Sequence, residues 1–166
     1  MLRERATGVG AAIGMVAPGF ASLNTGLQGN IGMTEPNTAT QARGRCMCGR
    51  VRFVARFPSC FCAHCHCERC RRSHSAGFVT WIGFLSPQVE VQSGAEDLVA
   101  YASSPGTKRS FCRVCGTKLF FESTKWAGET HVALAAFDDP VDRAPQGDAF
   151  VEEHVAWIPL GPGAAR

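Results

Sequence analysis

A chain of 166 residues with 45% apolar content is long enough to bury one core, and its length favours a single domain. A net charge of +3 and a pI near 8.4 are too mild for the clustered basic excess of a nucleic-acid binder, and no uninterrupted apolar run approaches the roughly 18–20 residues of a membrane span. Nine cysteines, an odd number at close spacings, fit metal thiolates in a reducing compartment better than a disulfide framework, so the chain reads as a soluble cytoplasmic protein.

Residues 1–41 hold seven of the eighteen glycines, no cysteine and no apolar periodicity, and read as a disordered leader. Arg3 and Arg5 before an apolar stretch imitate a signal peptide, but Gly8, Gly10 and Gly14 interrupt it. A folded domain is expected over 42–160, with a loose tail at 161–166. Its first clear element is Arg50–Phe57, where Val51, Phe53, Ala55 and Phe57 alternate with mostly arginine, the period of a half-buried strand. Pro58 breaks the run before a cysteine-rich stretch from Ser59 to Arg72, and residues 67–74 suit one or two helical turns. Short β-branched or aromatic runs follow at 78–84, 89–91, 98–101, into Phe111, at 118–121 and at 131–135, separated by Ser-Pro, Ser-Gly and Pro-Gly turns. Phe78 and Trp81 read as core. Pro140, Pro145 and Gly147 mark a loop, and Trp157 and Ile158 a final apolar anchor. The whole is a mainly β domain with a short helical turn after the central cysteines.

The cysteines fall into three groups. Cys46-x-Cys48-Gly49 and Cys112-x-x-Cys115-Gly116 are knuckles of the zinc-ribbon type, and four thiolates brought together from them make a closed, structural tetrahedron. Between them, Cys65-His66-Cys67-Glu68-Arg69-Cys70 offers three thiols within six residues, enough for one face of a second tetrahedron. Its fourth position is either open, as in a catalytic zinc site, or filled by Cys60, Cys62, His64, His66 or His74. A three-thiolate zinc carries net charge −1, which Arg69, Arg71 and Arg72 are near enough in sequence to offset.

The segments Gly44-x-Cys46-x-Cys48-Gly49-x-Val51-x-Phe53, Cys65-His66-Cys67-x-x-Cys70-Arg71-Arg72 and Arg109-x-Phe111-Cys112-x-x-Cys115-Gly116-x-x-Leu119, with the ending Phe137-Asp138-Asp139-Pro140, Pro145 and Trp157, resemble the glutathione-dependent formaldehyde-activating enzyme / centromere-protein-V family. The resemblance covers about 42–160. It implies a two-sheet, zinc-containing β-tent with two zinc ions per chain: a structural one on Cys46, Cys48, Cys112 and Cys115, and one at the active site on Cys65, Cys67 and Cys70. It implies a carbon–sulfur lyase whose substrates are a small thiol such as glutathione and an aldehyde such as formaldehyde, joined as S-hydroxymethylglutathione. Ser75 stands where members commonly have glycine, Asp148 where they often have histidine, and Cys60 and Cys62 are additional thiols.

On that reading, zinc supplies the thiolate nucleophile or polarises the carbonyl. Arg71 and Arg72 are candidates to hold a substrate carboxylate, with His74 beside them; His66, His74 and Asp138 are candidates for proton transfer. Two other function classes compete. A non-catalytic zinc module for a protein or chromatin partner requires a closed second site, and a thiol redox or metal-buffer protein would use Cys60 and Cys62.

Overall fold

The structure, a computed structural model, describes residues 39–160; the expected leader up to residue 38 and the expected tail at 161–166 lie outside the described residues. Ten strands and one short helix follow in order: β1 (Gln41–Arg45), β2 (Arg52–Arg56), β3 (Phe61–Cys65), α1 (Glu68–His74), β4 (Val79–Leu85), β5 (Val89–Ser93), β6 (Leu98–Ser104), β7 (Thr107–Cys112), β8 (Lys118–Ser123), β9 (Glu129–Ala133) and β10 (Asp148–Ala149). They make two sheets. The smaller has the order β1-β2-β5, and the larger β10-β3-β4-β9-β8-β7-β6, with every pair antiparallel except β10–β3.

The mainly β, two-sheet architecture with a helical turn after the central cysteines is the one the sequence led us to expect. The apolar runs from 78 to 135 become β4 to β9. Three strands were not expected. β1 begins at Gln41 and carries arginines at alternate positions, so it has no apolar signature of its own. β3 lies inside the cysteine-rich stretch, where alternation is written in Cys, Ala and His. β10 is two residues long.

The smaller sheet packs on one face of the larger. Phe53 on β2 meets Phe120 and Phe137 edge-on, each with ring centroids 5.2 Å apart, and Val51, Ala55, Ile82, Phe84, Leu119 and Val132 are fully buried around them. Each of these burials except that of Ala55 is worth about 1.5–3 kcal/mol of transfer free energy, which makes this interface the main source of cohesion. The expected alternation holds for Val51, just before β2, and for Phe53 and Ala55 within it, but Val54 is also buried, on the opposite face. β2 is the central strand of its sheet, and Val54 is flanked in register by the long side chains of Arg43 and Glu90.

The loop after β9 is tied back by charge. Asp139 accepts from Arg43 Nε at 2.8 Å, Asp138 from Arg45 Nε at 3.0 Å, and Asp142 from the Ser59 amide and hydroxyl at 2.8 and 2.7 Å. Of the expected terminal anchor, Trp157 is 70% exposed, whereas Ile158 seats against Gly77, whose missing Cβ makes the room. Among the described residues no helix is long and apolar enough to cross a membrane.

Candidate active site and metal centres

The two knuckles fold alike. In the first, Gly49 N donates to Cys46 O at 2.9 Å and Cys46 N to Val51 O at 3.0 Å; in the second, Gly116 N donates to Cys112 O at 2.8 Å and Cys112 N to Thr117 O at 3.0 Å. Both turns pass through glycine at positive φ, 75° at Gly49 and 76° at Gly116, the left-handed region that a side chain disfavours. Thr117 Oγ1 joins them by accepting from Met47 N at 3.0 Å. The sulfurs of Cys46, Cys48, Cys112 and Cys115 come within 4.8 Å of one another, with 3.4 Å between Cys46 and Cys48 and 3.8 Å between Cys48 and Cys112. Four sulfurs around one ion at about 2.3 Å stand about 3.8 Å apart, so this set fits a metal. Cys115 is pulled down to about 5, first by the Thr117 hydroxyl at 3.2 Å.

The inner set is built at a strand-to-helix corner. Cys65 ends β3, and Cys67 caps α1, its sulfur accepting from Cys70 N at 3.3 Å in the role an N-cap hydroxyl plays elsewhere. Cys70 sits in the first turn of α1, and the three sulfurs also lie within 4.8 Å of one another. Hydrogen bonds from Cys65 and Cys67, with help from the Arg109 charge, pull the Cys70 thiol down to about 2 against the cost of burial, and the same contacts push Cys65 up.

Arg109 was not singled out as a site residue in the sequence. It reaches from β7, its Nη2 donates to Cys70 Sγ at 3.6 Å, and it is only 5% exposed. It has no carboxylate partner among the described residues, its guanidinium lies 4.8 Å from the Phe121 ring centroid, and its Nη1 is buried without a hydrogen-bond partner. A buried guanidinium needs an anion, and a three-thiolate set carrying a divalent ion, net charge −1, is the anion within reach. The donor chemistry of the inner set therefore also fits a metal.

No other His, Cys, Asp or Glu among the described residues joins the three sulfurs to complete a fourth position. The candidates for that place are elsewhere. Cys62 is one strand alternation out of phase with Cys65, so it points into the core between the sheets; Cys60 is exposed and belongs to neither set. His64 Nδ1 pairs with Thr80 Oγ1 at 2.8 Å. His66 is 2% exposed, with its Nε2 on Asp148 Oδ1 at 2.7 Å, so the aspartate in place of histidine holds this ring. His74 packs edge-on against Trp81 at 5.3 Å, where burial lowers it to about 4.

The arginines of α1 also face away. Arg71 spends its donors on His66 O at 2.9 Å and Glu153 O at 3.1 Å, which fastens the C-terminal segment to the helix. Arg72 is exposed and pairs with Glu68 at 2.8 Å, one turn back. Asp138 sits in the surface pair with Arg45. The structure brings none of Arg71, Arg72, His74, His66 or Asp138 to the open side of the inner cysteines.

That open side is a cleft of about 780 Å³. Its floor is the face of the larger sheet turned away from the smaller one, and one cross-strand row forms its centre: Phe61 on β3, Gly83 on β4, His131 on β9, Phe121 on β8 and Arg109 on β7 stand opposite one another in register. Gly83 is required here. A Cβ at this position would fall inside the Phe61 ring, which lies across β4 and meets His131 at 4.8 Å. Trp81 and Trp126 extend the aromatic wall, each contacting Phe121, at 5.7 and 5.9 Å. His131 is the one histidine that lines the cleft; its Nε2 pairs with Glu129 at 2.9 Å, and burial holds its pKa below the usual value. A lone histidine in a β-run gave no sequence signal. Only the register places it here.

Comparison with known proteins agrees with this arrangement. A chain 36% identical over 81 residues, 49% of this chain and 57% of its own length, is an uncharacterized lyase of Schizosaccharomyces pombe; the chain thus spans just over half of that curated relative. A crystal structure of a Rhodobacter sphaeroides protein superposes with a TM-score of 0.52 at 25% identity, covering 59% of this chain and 89% of that one. The profile of the glutathione-dependent formaldehyde-activating enzymes matches residues 41–153, which contain both cysteine sets, the arginine that faces the inner one and the whole cleft floor. With two knuckles, a three-cysteine corner and two sheets in that order, the chain belongs to the glutathione-dependent formaldehyde-activating enzyme family.

Proposed function

We propose that the protein is a zinc-dependent carbon–sulfur lyase that makes or breaks the bond between a small thiol and an aldehyde, with glutathione and formaldehyde, joined as S-hydroxymethylglutathione, as the substrates the family name suggests. The observation that carries this reading is the inner cysteine set: three sulfurs at the edge of a deep cleft, with no fourth protein donor among the described residues. Cys65, Cys67 and Cys70 would hold one zinc, and Cys46, Cys48, Cys112 and Cys115 the other. At the inner set, zinc supplies Lewis acidity and stabilises a bound thiol as thiolate.

The chain's own residues account for the remaining needs. Arg109 donates to Cys70 Sγ and its charge adds to the hydrogen bonds from Cys65 and Cys67 that favour the Cys70 thiolate. His131, held neutral by burial and anchored through Nε2 to Glu129, leaves Nδ1 to accept the thiol proton and return it to the carbonyl oxygen. Arg69 and Lys125 line the cleft as exposed cations without an ion-pair partner among the described residues, and they suit the carboxylates of glutathione better than the engaged Arg71 and Arg72 do. A non-catalytic module would call for a fourth donor closing the inner set, and the geometry favours the enzyme over it.

Cobalt substitution tests the reading, since thiolate-to-cobalt charge-transfer bands report each added sulfur. Millimolar glutathione is expected to raise these bands in the native protein but not in Cys67→Ser, and the zinc protein is expected to accelerate adduct formation from glutathione and formaldehyde. Unchanged bands together with no acceleration would refute the enzyme.

A further inference from the structure

The rim cations account for an anionic thiol, but they leave the interior of the cleft unexplained. Formaldehyde has a single carbon and glutathione has no ring, yet the floor is a continuous aromatic surface. Trp81, Phe121, His131 and Phe61 touch in sequence at 5.7, 5.3 and 4.8 Å, and Trp126 meets both Phe121 and His131. Gly83 gives up its side chain so that this surface is unbroken. At the same cleft, Phe150 presents a phenyl ring 43% exposed from a backbone at φ 59°, ψ 47°. A bulky residue in the left-handed region is strained, and such strain persists where the surroundings demand it. Trp126, 38% exposed, supplies a second ring open to the cleft. Rings on a wall prefer the face or edge of another ring, and a cleft of this volume takes a ligand of many atoms.

We propose that the aldehyde half of the substrate is an aromatic one, its ring seated among Trp81, Phe121, Trp126 and Phe150 and its carbonyl carbon toward the inner cysteines. This rests on the thiol–aldehyde reading above and names the substrate class of that same site. In the forward step the thiol sulfur bonds to the carbonyl carbon, the C=O π pair moves onto oxygen, and the thiol proton ends on that oxygen. No oxidant or reductant enters, and the reverse step restores thiol and aldehyde.

The test uses the zinc-loaded full chain with glutathione and either benzaldehyde or formaldehyde, the exchange rates of the adducts being read by NMR. A third arm pairs benzenethiol with formaldehyde. Saturation transfer from protein to the benzaldehyde ring protons serves as a readout independent of turnover. The expected result is kcat/KM at least about tenfold higher for benzaldehyde than for formaldehyde, with ring saturation transfer. Trp126→Ala and Phe150→Ala, with circular dichroism as the control for folding, are each expected to lower that ratio about tenfold. Faster turnover of formaldehyde, or of the benzenethiol arm, would overturn the aromatic-aldehyde assignment while leaving the lyase intact. Ring saturation transfer without acceleration of any adduct would support the ring seat and sink the lyase reading. Absence of both would overturn the two together.

Discussion

The two cysteine sets use the same donor atom and differ in what surrounds them. The outer four come from two matching knuckles, each stiffened by its own backbone hydrogen bonds and linked through Thr117. With four sulfurs present, nothing further can approach an ion there, and such a site acts on the fold. The inner three come from one corner, β3 into α1, and their free side faces a cleft rather than another knuckle. On the proposed reading, sulfur count separates a structural site from a reactive one. The environment follows the same division: a hydroxyl at Cys115 outside, a buried guanidinium at Cys70 inside.

The most damaging way to test this division is Cys115→Ser. Opening the outer tetrahedron is expected to unfold the β domain, because a structural zinc carries about 10–16 kcal/mol of apparent binding free energy that is also folding energy; circular dichroism and elemental analysis would read both losses. Cys67→Ser is the counterpart. It is expected to remove one zinc of two, leave the circular dichroism of the domain unchanged and lower adduct formation about a hundredfold or more. If Cys67→Ser unfolds the chain and Cys115→Ser does not, the roles of the two sets are reversed.

His131→Gln sharpens the chemical side. If His131 accepts the thiol proton as proposed, the substitution is expected to lower kcat about a hundredfold while the cobalt bands still respond to glutathione. Loss of both responses would make His131 a binding rather than a proton-transfer residue.

His74 separates the two regions by pH. Burial, helped by the Arg109 and Lys118 charges, lowers it from 6.5 to about 4. Between these values the unfolded chain binds a proton that the folded chain refuses. Its contribution to stability is therefore complete above pH 6.5 and is lost as pH falls toward 4. His74→Phe keeps the packing on Trp81 and is expected to flatten the decline of melting temperature over that window; an unchanged acid limb would show that His74 titrates normally.

The smallest effect concerns Ser75, which ends α1 at φ 51°, ψ 43°, the left-handed conformation, in the place where family members commonly have glycine. Ser75→Gly removes the Cβ penalty and is expected to stabilise the inner region by about 1 kcal/mol, raising the melting temperature a few degrees without altering zinc content. A lower melting temperature would mean that the serine side chain contributes more than its backbone costs.

Much of this molecule was legible before any coordinates. The runs from Phe78 to Ala135 alternate or cluster apolar residues between turn residues, and they are strands. The one or two helical turns expected over residues 67–74 are α1, and Cys-x-Cys-Gly and Cys-x-x-Cys-Gly mark both knuckles. β3 was not legible, since its alternation of Phe61, Ala63 and Cys65 against Cys62 and His64 is hidden by residues chosen for metal and packing. Of the expected anchor Trp157 and Ile158, Ile158 seats against Gly77 while Trp157 touches it by one ring edge and is otherwise exposed, because an apolar residue by itself carries no information about what covers it.

The same boundary divides the site. The thiols of each set lie two or three positions apart at a tight turn or helix start, so the sequence alone put forward the inner trio and the two outer pairs; that Cys60 and Cys62, equally close in sequence, stay out of both sets was decided by the strand that turns Cys62 into the core. Which residues stand opposite that trio depends on strand order and register. Arg109 is 39 positions from Cys70, and it arrives because β7 lies beyond β4, β9 and β8 in the sheet. Arg71 and Arg72 are neighbours of Cys70 in sequence, yet the helix turns them toward Glu153 and Glu68. His131, Phe121 and Phe61 share a row only because Gly83 and the antiparallel register align four strands. Local geometry is written residue by residue, whereas a row across a sheet exists only once the sheet has formed.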